Sequence, residues 1–533
     1  ESEFSEYKAQ PLTLNFKAID HKEGYATYFR EFLRKYMTAK RPQRKNYPSW
    51  ASTQYHIDSI AWEQDPLYGW CNKNVKKDGT NYNIYTDGLK IRTSINAKMQ
   101  KYAEEAVYRH VANYLQPLFD KENKRKPNAP FTSELTQKQI DNILMRSMRQ
   151  SERWRVMKEL GHSDEEIKQA FNKKTEMTVF SYNGDIDTVM TPIDSIKYYK
   201  SFLRAGFMSI DPKNGEVKAY VGGLNYHHFQ YDMVMLGRRQ IGSTIKPFLY
   251  SLAMENGFTP CDLAPNVQQT YIVAGKPWTP RNASRSRYGE NVTLKWGLQQ
   301  SNNWISAYLM SKLNPMQLVT LMQKFGIDSP DIHPSMALCL GPCDVSVGEM
   351  VSAYTAFANN GIRCAPIFVT RIEDNEGNVI ASFQPRMTEV ISQEGTYKML
   401  DMLQAVIQGG TGSRLRYKFN IEGQIAGKTG TTNRNSDAWF MGITPELVSG
   451  CWVGGEDRDI HFGSMVYGQG AAMALPVWAY YMKKVYSDKT LGYSTSAVFD
   501  LPASFNPCGK MLNEIMIDES DEEAILLEEN IEE

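Results

Sequence analysis

Gly242-Ser243-Thr244-Ile245-Lys246-Pro247 sets a hydroxyl and an amine three residues apart at the head of an apolar, periodic segment. Ile245, Phe248, Leu249 and Leu252 follow at helical spacing until Gly257 closes the run. Ser243 is thus expected at a helix start, with Lys246 on the same face one turn later. A helix start stabilises negative charge, and Pro247 suits a first turn. A serine hydroxyl is a weak nucleophile that needs a base in reach. Lysine serves only if burial or a neighbouring cation lowers its pKa. A capping serine followed by a surface lysine is the preferred reading of an isolated S-x-x-K, and Ser5-Glu6-Tyr7-Lys8 fits the same pattern.

Two further strings follow in order. Ser301-Asn302-Asn303 precedes an apolar helical stretch through Trp304, Ile305, Tyr308 and Leu309. Taken alone, helix capping accounts for it. As a catalytic element, Ser301 would pass a proton to a leaving group and Asn303 would hold a substrate amide. Lys428-Thr429-Gly430-Thr431-Thr432 reads as a strand. On a sheet edge it could pair with an extended peptide, its lysine and hydroxyls meeting a terminal carboxylate and Gly430 allowing close approach. The backbone N–H groups of Ser243 and Thr431 are candidate oxyanion donors. No His-Glu-x-x-His or Gly-x-Ser-x-Gly motif competes, and adjacent His227 and His228 form no obvious triad. No cofactor or metal is called for.

The rest of the chain supplies a frame for these strings. Its 533 residues are 42% hydrophobic and 23% charged, enough for a sizeable core and more than one domain. A formal net charge of zero gives no support for nucleic-acid binding. Seven cysteines are few and odd in number, so no disulfide framework is expected, and Cys339 and Cys343 read as buried free thiols rather than a pair. No apolar run approaches the ~20 residues that span a bilayer. The chain opens on Glu1 without a signal pattern, and we expect a processed or truncated product whose anchor lies elsewhere.

Residues 1 to 88 read as a polar, aromatic connecting region with helix around Tyr28 to Tyr36. A strand at 88–95 and a helix from Lys98 to Leu115 begin an interdomain arm over 89–200, charged and largely helical from Lys121 to Lys174. Phe207 to Ile210 and Val217 to Val221 flank Asp211-Pro212-Lys213-Asn214-Gly215 as a β-hairpin. A helix-rich stretch follows to about 360, then strands at 424–432, 438–443 and 448–453. Two early and three late strands with helices between make an α+β fold. Residues 485–533 form an extension, and the acidic stretch 518–533 reads as a solvated tail.

At these residues the chain resembles the penicillin-binding proteins, specifically the transpeptidase region of the bifunctional, class A members. Arg238-Arg239-Gln240-Ile241-Gly242-Ser243 is similar to the family's run into the nucleophile. Gly348-Glu349-Met350 through Ala358-Asn359-Asn360-Gly361 resembles its helical segment, and Gly410-Thr411-Gly412 its loop before the Lys-Thr-Gly strand. The resemblance covers residues 89 to 483, and the first 88 are similar in style to Bacteroidetes-like members. It implies a penicillin-binding/serine β-lactamase-like fold, with an antiparallel sheet of about five strands, flanking helices and a helical subdomain, over 201–484. It further implies Ser243 as acylated nucleophile, Lys246 as base and Ser301 as proton relay. Asn303, Lys428, Thr429, Gly430 and Thr431 would bind substrate.

The implied reaction is D,D-transpeptidation. Stem peptides ending in D-Ala-D-Ala are attacked, D-Ala is released, and the acyl group passes to another stem, with β-lactams acylating the same serine. The implied place is the periplasmic face of a bacterial inner membrane. No glycosyltransferase motif is recognised, so that domain is expected outside this chain. The same residues would serve a D,D-carboxypeptidase, a β-lactamase or a non-turnover β-lactam sensor. Class A lactamases resemble the chain less, since their Ser-Asp-Asn is Ser301-Asn302-Asn303 here and no Glu-x-x-x-Asn follows before Lys428.

Overall fold

The computed structural model describes residues 24–509. Ser5-Glu6-Tyr7-Lys8 and the acidic stretch 518–533 lie outside the described residues. The expected hairpin is present as β1 (Arg204–Ile210) and β2 (Val217–Val221). Its turn closes through Gly215, at φ +77°, whose N–H donates to Asp211 O at 2.9 Å. The late strands are β3 (Ala426–Thr431), β4 (Asp437–Ile443) and β5 (Val448–Gly454). All five form one antiparallel sheet in the order β3-β4-β5-β1-β2, which leaves the Lys-Thr-Gly strand on an edge. Every residue of β4 and β5 is buried, because helices cover both faces of the sheet.

Those helices begin with α1 (Thr27–Met37), whose Tyr28, Phe29 and Leu33 are buried and whose Phe32 stacks 5.5 Å from Tyr220 of β2. Beside it, α2 (Ala97–Val107) is capped by Asn96, which accepts from Lys98 and Met99 N–H, and it continues in wider turns to Leu115. Five further helices build the catalytic body: α3 (Lys246–Glu255), α4 (Asn303–Lys312), α5 (Val347–Ala358), α6 (Gln393–Gly409) and α7 (Leu475–Ser487). On one face α7 lies over the sheet, with Trp478 5.6 Å from Phe440 and Tyr481 4.8 Å from Phe207. On the other, α5 starts with a Ser346/Glu349 capping box. It packs so closely that a Cβ on Gly450 would stand 2.6 Å from Val351.

The strand at 88–95 is confined to Lys90–Thr93, which pairs antiparallel with Val369–Glu373. The charged arm is helical over Gln137–Gln150, Glu152–Glu159 and Asp164–Phe171, and it carries its own small core of Met148, Trp154, Ile167 and Phe171. One disulfide joins Cys261 to Cys508 across 247 residues, a link that the count of seven cysteines did not suggest. Cys339 and Cys343 are buried and unpaired.

One buried cluster ties the sheet to the segment before Ser243. Arg239 Nε donates to Asp437 Oδ1 at 2.7 Å, and its guanidinium lies 4.6 Å from the Trp452 ring centre. Trp452 Nε1 donates to the same carboxylate oxygen at 3.0 Å, and Thr432 Oγ1 donates to the other at 3.2 Å. Asp437 is fully buried. Asp437→Ala would strand a buried guanidinium, and we expect a loss of about 3–5 kcal/mol in denaturant unfolding. A loss under about 1 kcal/mol would show the pair to be dispensable.

Candidate active site

Ser243 occupies a single 3₁₀ turn, Gly242–Ile245, that runs directly into α3 at Lys246. The serine therefore precedes the α-helix instead of opening it. Close backbone approach holds the turn. Gly242, at φ +51°, donates its N–H to Gly341 O at 3.1 Å, and a Cβ on Gly341 would fall 2.2 Å from Gly242 O. Tyr354 Oη, on α5, donates to Thr244 O at 2.7 Å. The Thr244 methyl fills the place where a Gly430 side chain would begin, 2.8 Å from that ideal Cβ. Gly430 is thus required by the protein's own packing against the turn that carries Ser243.

Lys246 and Lys428 are both fully buried. Lys246 Nζ donates to Ser301 O at 2.6 Å and to Asn303 Oδ1 at 2.7 Å, and lies 3.4 Å from Ser301 Oγ. Lys428 Nζ donates to Ser301 Oγ at 2.8 Å and to Thr429 O at 2.9 Å. Burial pushes the Lys246 amine down to about 7, against a slight opposing pull from the Cys339 thiol. Burial also drives Lys428 well below its ordinary value, and repulsion from Lys246 adds to that. The sequence left burial and a neighbouring cation open as causes of a lowered Lys246 pKa. In the structure burial is the leading cause for both amines, and repulsion between the two lysines acts in the same direction.

Ser301, at φ +52°, holds a left-handed conformation that L-residues rarely adopt. Capping does not explain the string, because Asn302 alone caps α4, its side chain accepting from Trp304 and Ile305 N–H. Ser301 and Asn303 are thereby freed to face the lysines. Both ends of the Asn303 carboxamide are committed: Oδ1 accepts from Lys246, and Nδ2 donates to Arg281 O at 2.7 Å. In this arrangement Asn303 orients Lys246, and holding a substrate amide requires one of these bonds to exchange.

Along β3, Thr432 N–H donates to Asp437 O, so by antiparallel alternation the N–H and C=O of Thr429 and Thr431 point off the open edge. The Thr429 hydroxyl shares a 2.6 Å hydrogen bond with Thr411, and Thr431 Oγ1 accepts from Gly470 N–H at 3.0 Å. Thr411 belongs to the Gly410-Thr411-Gly412 loop, and its contact with β3 was not readable from sequence. Ser243, Ser301, Asn303, Thr429 and Thr431 line one cleft of about 490 Å³. Lys246 and Lys428 form its buried floor behind Ser301. Among the described residues the Ser243 hydroxyl has no hydrogen-bond partner, and no carboxylate lines the cleft. The described residues hold no cluster of potential metal ligands.

Residues 205–448 match the penicillin-binding protein transpeptidase domain, and residues 126–203 match the penicillin-binding protein middle domain. Penicillin-binding protein 1A of Aquifex aeolicus is 36% identical over 285 residues, 53% of this chain and 38% of that protein. The Neisseria flavescens protein of the same name is 28% identical over 426 residues, 75% of this chain and 52% of that one. The chain thus spans about half or less of these relatives. The crystal structure of penicillin-binding protein 1A from Haemophilus influenzae shares the fold, with a TM-score of 0.63 at 20% identity over 94% of this chain and 75% of that chain. That of PonA1 from Mycobacterium tuberculosis gives 0.55, also at 20%, over 82% and 92%. Residues 205–448 of the chain are thus a penicillin-binding protein transpeptidase domain, and the curated relatives named above are penicillin-binding proteins 1A.

Proposed function

We propose that the chain is a D,D-transpeptidase of cell-wall peptidoglycan that works through a Ser243 acyl-enzyme. The observation that carries this reading is the Ser301 hydroxyl set between two buried lysines. Near neutral pH a large share of Lys246 is the free amine, able to take the Ser243 proton. Two of its N–H bonds are directed at Ser301 O and Asn303 Oδ1, which leaves its lone pair for that proton. Ser243 Oγ attacks the carbonyl of the penultimate D-Ala, and the oxyanion lies against the Ser243 and Thr431 N–H groups. Lys428 polarises Ser301, which returns the proton to the departing D-Ala amine. The terminal carboxylate meets the hydroxyls of Thr429 and Thr431 on the edge strand. An amine from a second stem peptide then takes the acyl group, and β-lactams acylate the same oxygen.

Transfer is favoured over hydrolysis because no carboxylate lines the cleft to hold a water against the ester. A D,D-carboxypeptidase, lactamase or sensor would share the acylation step and differ only in the fate of the adduct. Among the described residues no helix is long and apolar enough to cross a membrane. A peptidoglycan substrate implies work on the periplasmic side.

Fluorescent penicillin should label the protein and fail to label Ser243→Ala. Undiminished labelling of that variant would reject the assignment. By intact-protein mass spectrometry the penicilloyl adduct should persist for many minutes, and a stem-peptide acyl group should be captured by added amine. Rapid, repeated penicillin turnover would make the protein a lactamase.

The depressed Lys246 amine predicts a pH dependence with a definite sign. A base acts in its deprotonated form, so the acylation rate should rise as pH passes through about 7 and level off above it. Lys246→Arg keeps the charge but gives up the proton poorly, and should cut acylation by roughly two to four orders of magnitude. A pH-independent rate between 5 and 9, or near-normal acylation of that variant, would remove Lys246 from the role of base.

A further inference from the structure

The charged side chains that line the cleft are Arg281 and Arg434. Arg281 is brought there by its backbone. Asn303 Nδ2 donates to Arg281 O at 2.7 Å, Asn303 N–H to Asn282 Oδ1 at 2.9 Å, and Trp304 Nε1 to Pro280 O at 3.0 Å. These bonds pin the 280–282 segment to the start of α4, so the arginine's position is fixed by the residue that orients Lys246. Its side chain is exposed and, among the described residues, has no ion pair or hydrogen bond. Arg434 follows β3 at φ +62°, and its guanidinium meets only the half-exposed Glu134 at 3.0 Å. Such an exposed pair is weak and readily exchanged.

Two guanidinium groups on a cleft without a lining carboxylate attract anions and aim bidentate donors at them. The carboxylate at the reacting end of the peptide does not use Arg281. Its partners are the β3 hydroxyls, beside the fully buried Lys428, whereas Arg281 stands exposed at the rim. An arginine side chain spans about two residues of extended peptide, so its anionic target lies in the residues just before the bond that breaks.

We propose that Arg281, with Arg434 as a lesser partner, is a specificity-determining residue that selects donor peptides with a free side-chain carboxylate immediately before D-Ala-D-Ala. The inference rests on the transpeptidase reading above and names the substrate class of that site. An amidated or apolar side chain at that position leaves Arg281 unmatched and lowers affinity without altering the chemical step. The preference therefore belongs in KM, with kcat similar for the two kinds of peptide.

The test uses the full chain and two synthetic peptides, N-acetyl-L-2-aminoadipyl-D-alanyl-D-alanine and its side-chain carboxamide, with glycine as acceptor amine and D-alanine release as readout. The acid should show a KM about tenfold below that of the amide, the scale of one charge-assisted contact. In Arg281→Gln the ratio should fall to about twofold or less, and Arg281→Lys should restore part of it. In the unaltered protein, raising salt from about 20 to 500 mM should shrink the ratio, because a rim contact is screened. This last measurement needs no variant and stands even if Arg281→Gln folds poorly. Equal KM values for the two peptides, a preference that survives Arg281→Gln, or a salt-independent ratio would each overturn the inference while leaving the transpeptidase reading intact. No D-alanine release from either peptide would overturn both.

Discussion

Two fully buried lysine side chains share one serine hydroxyl at the floor of the cleft, and the rest of the active site answers to that arrangement. Burying one ammonium is costly, and burying two a few ångströms apart is costlier, so the folded state discourages full protonation. The backbone carbonyls of Ser301 and Thr429, with Asn303 Oδ1, supply the acceptors that make the burial tolerable. What remains is an amine that is partly neutral near neutral pH, 3.4 Å from the Ser301 hydroxyl. The base in the proposed mechanism would thus be made by the fold. A lysine on the surface of the same helix would stay charged and idle.

Such a site demands rigid walls, since a movement that admitted water would restore the charge. Tyr354 binds the carbonyl of Thr244, the Thr244 methyl seats into the gap left by Gly430, and Gly242 and Gly341 meet backbone to backbone. Each contact spans different elements: α5 to the nucleophile turn, the turn to β3, and the turn to the segment before α5. The Arg239–Asp437 pair holds the strand before Ser243 to the start of β4. Little tolerance remains. At two of these contacts, on Gly430 and on Gly341, a single added methyl group has no room.

The five-strand sheet was legible because its hairpins are local and its strands carry long apolar runs. The three motifs were legible because their residue types are unusual at those spacings. What escaped the sequence depends on partners far apart in the chain. That both lysines are fully buried, the leading cause of their lowered pKa, follows from packing that a motif does not encode. Asn302, between the two residues singled out, turned out to do the capping that Ser301 and Asn303 seemed suited for, and a spacing cannot say which of three neighbours faces the helix. Cys261 pairs with Cys508 over 247 residues, a distance at which cysteine counting has no power. Gly430 shows the subtlest gap: its identity is explained by what touches it from inside, whereas the strand pattern suggested only its open side.

The cleft's lack of carboxylates then gains a double meaning. A carboxylate near Ser243 would hold a hydrolytic water, and it would also raise the pKa of the lysines by stabilising their charged forms. Leaving acids out protects both the neutral base and the ester. It also leaves the cleft positive, since Arg281 and Arg434 stand at the rim without matching charges on its walls. That excess is tolerable only where solvent reaches the side chains, which is where both arginines lie. Among the described residues one constraint, cleft walls without a carboxylate, accompanies the depressed amine and, on the reading proposed above, would also protect the acyl-enzyme and suit the entrance to an anionic peptide.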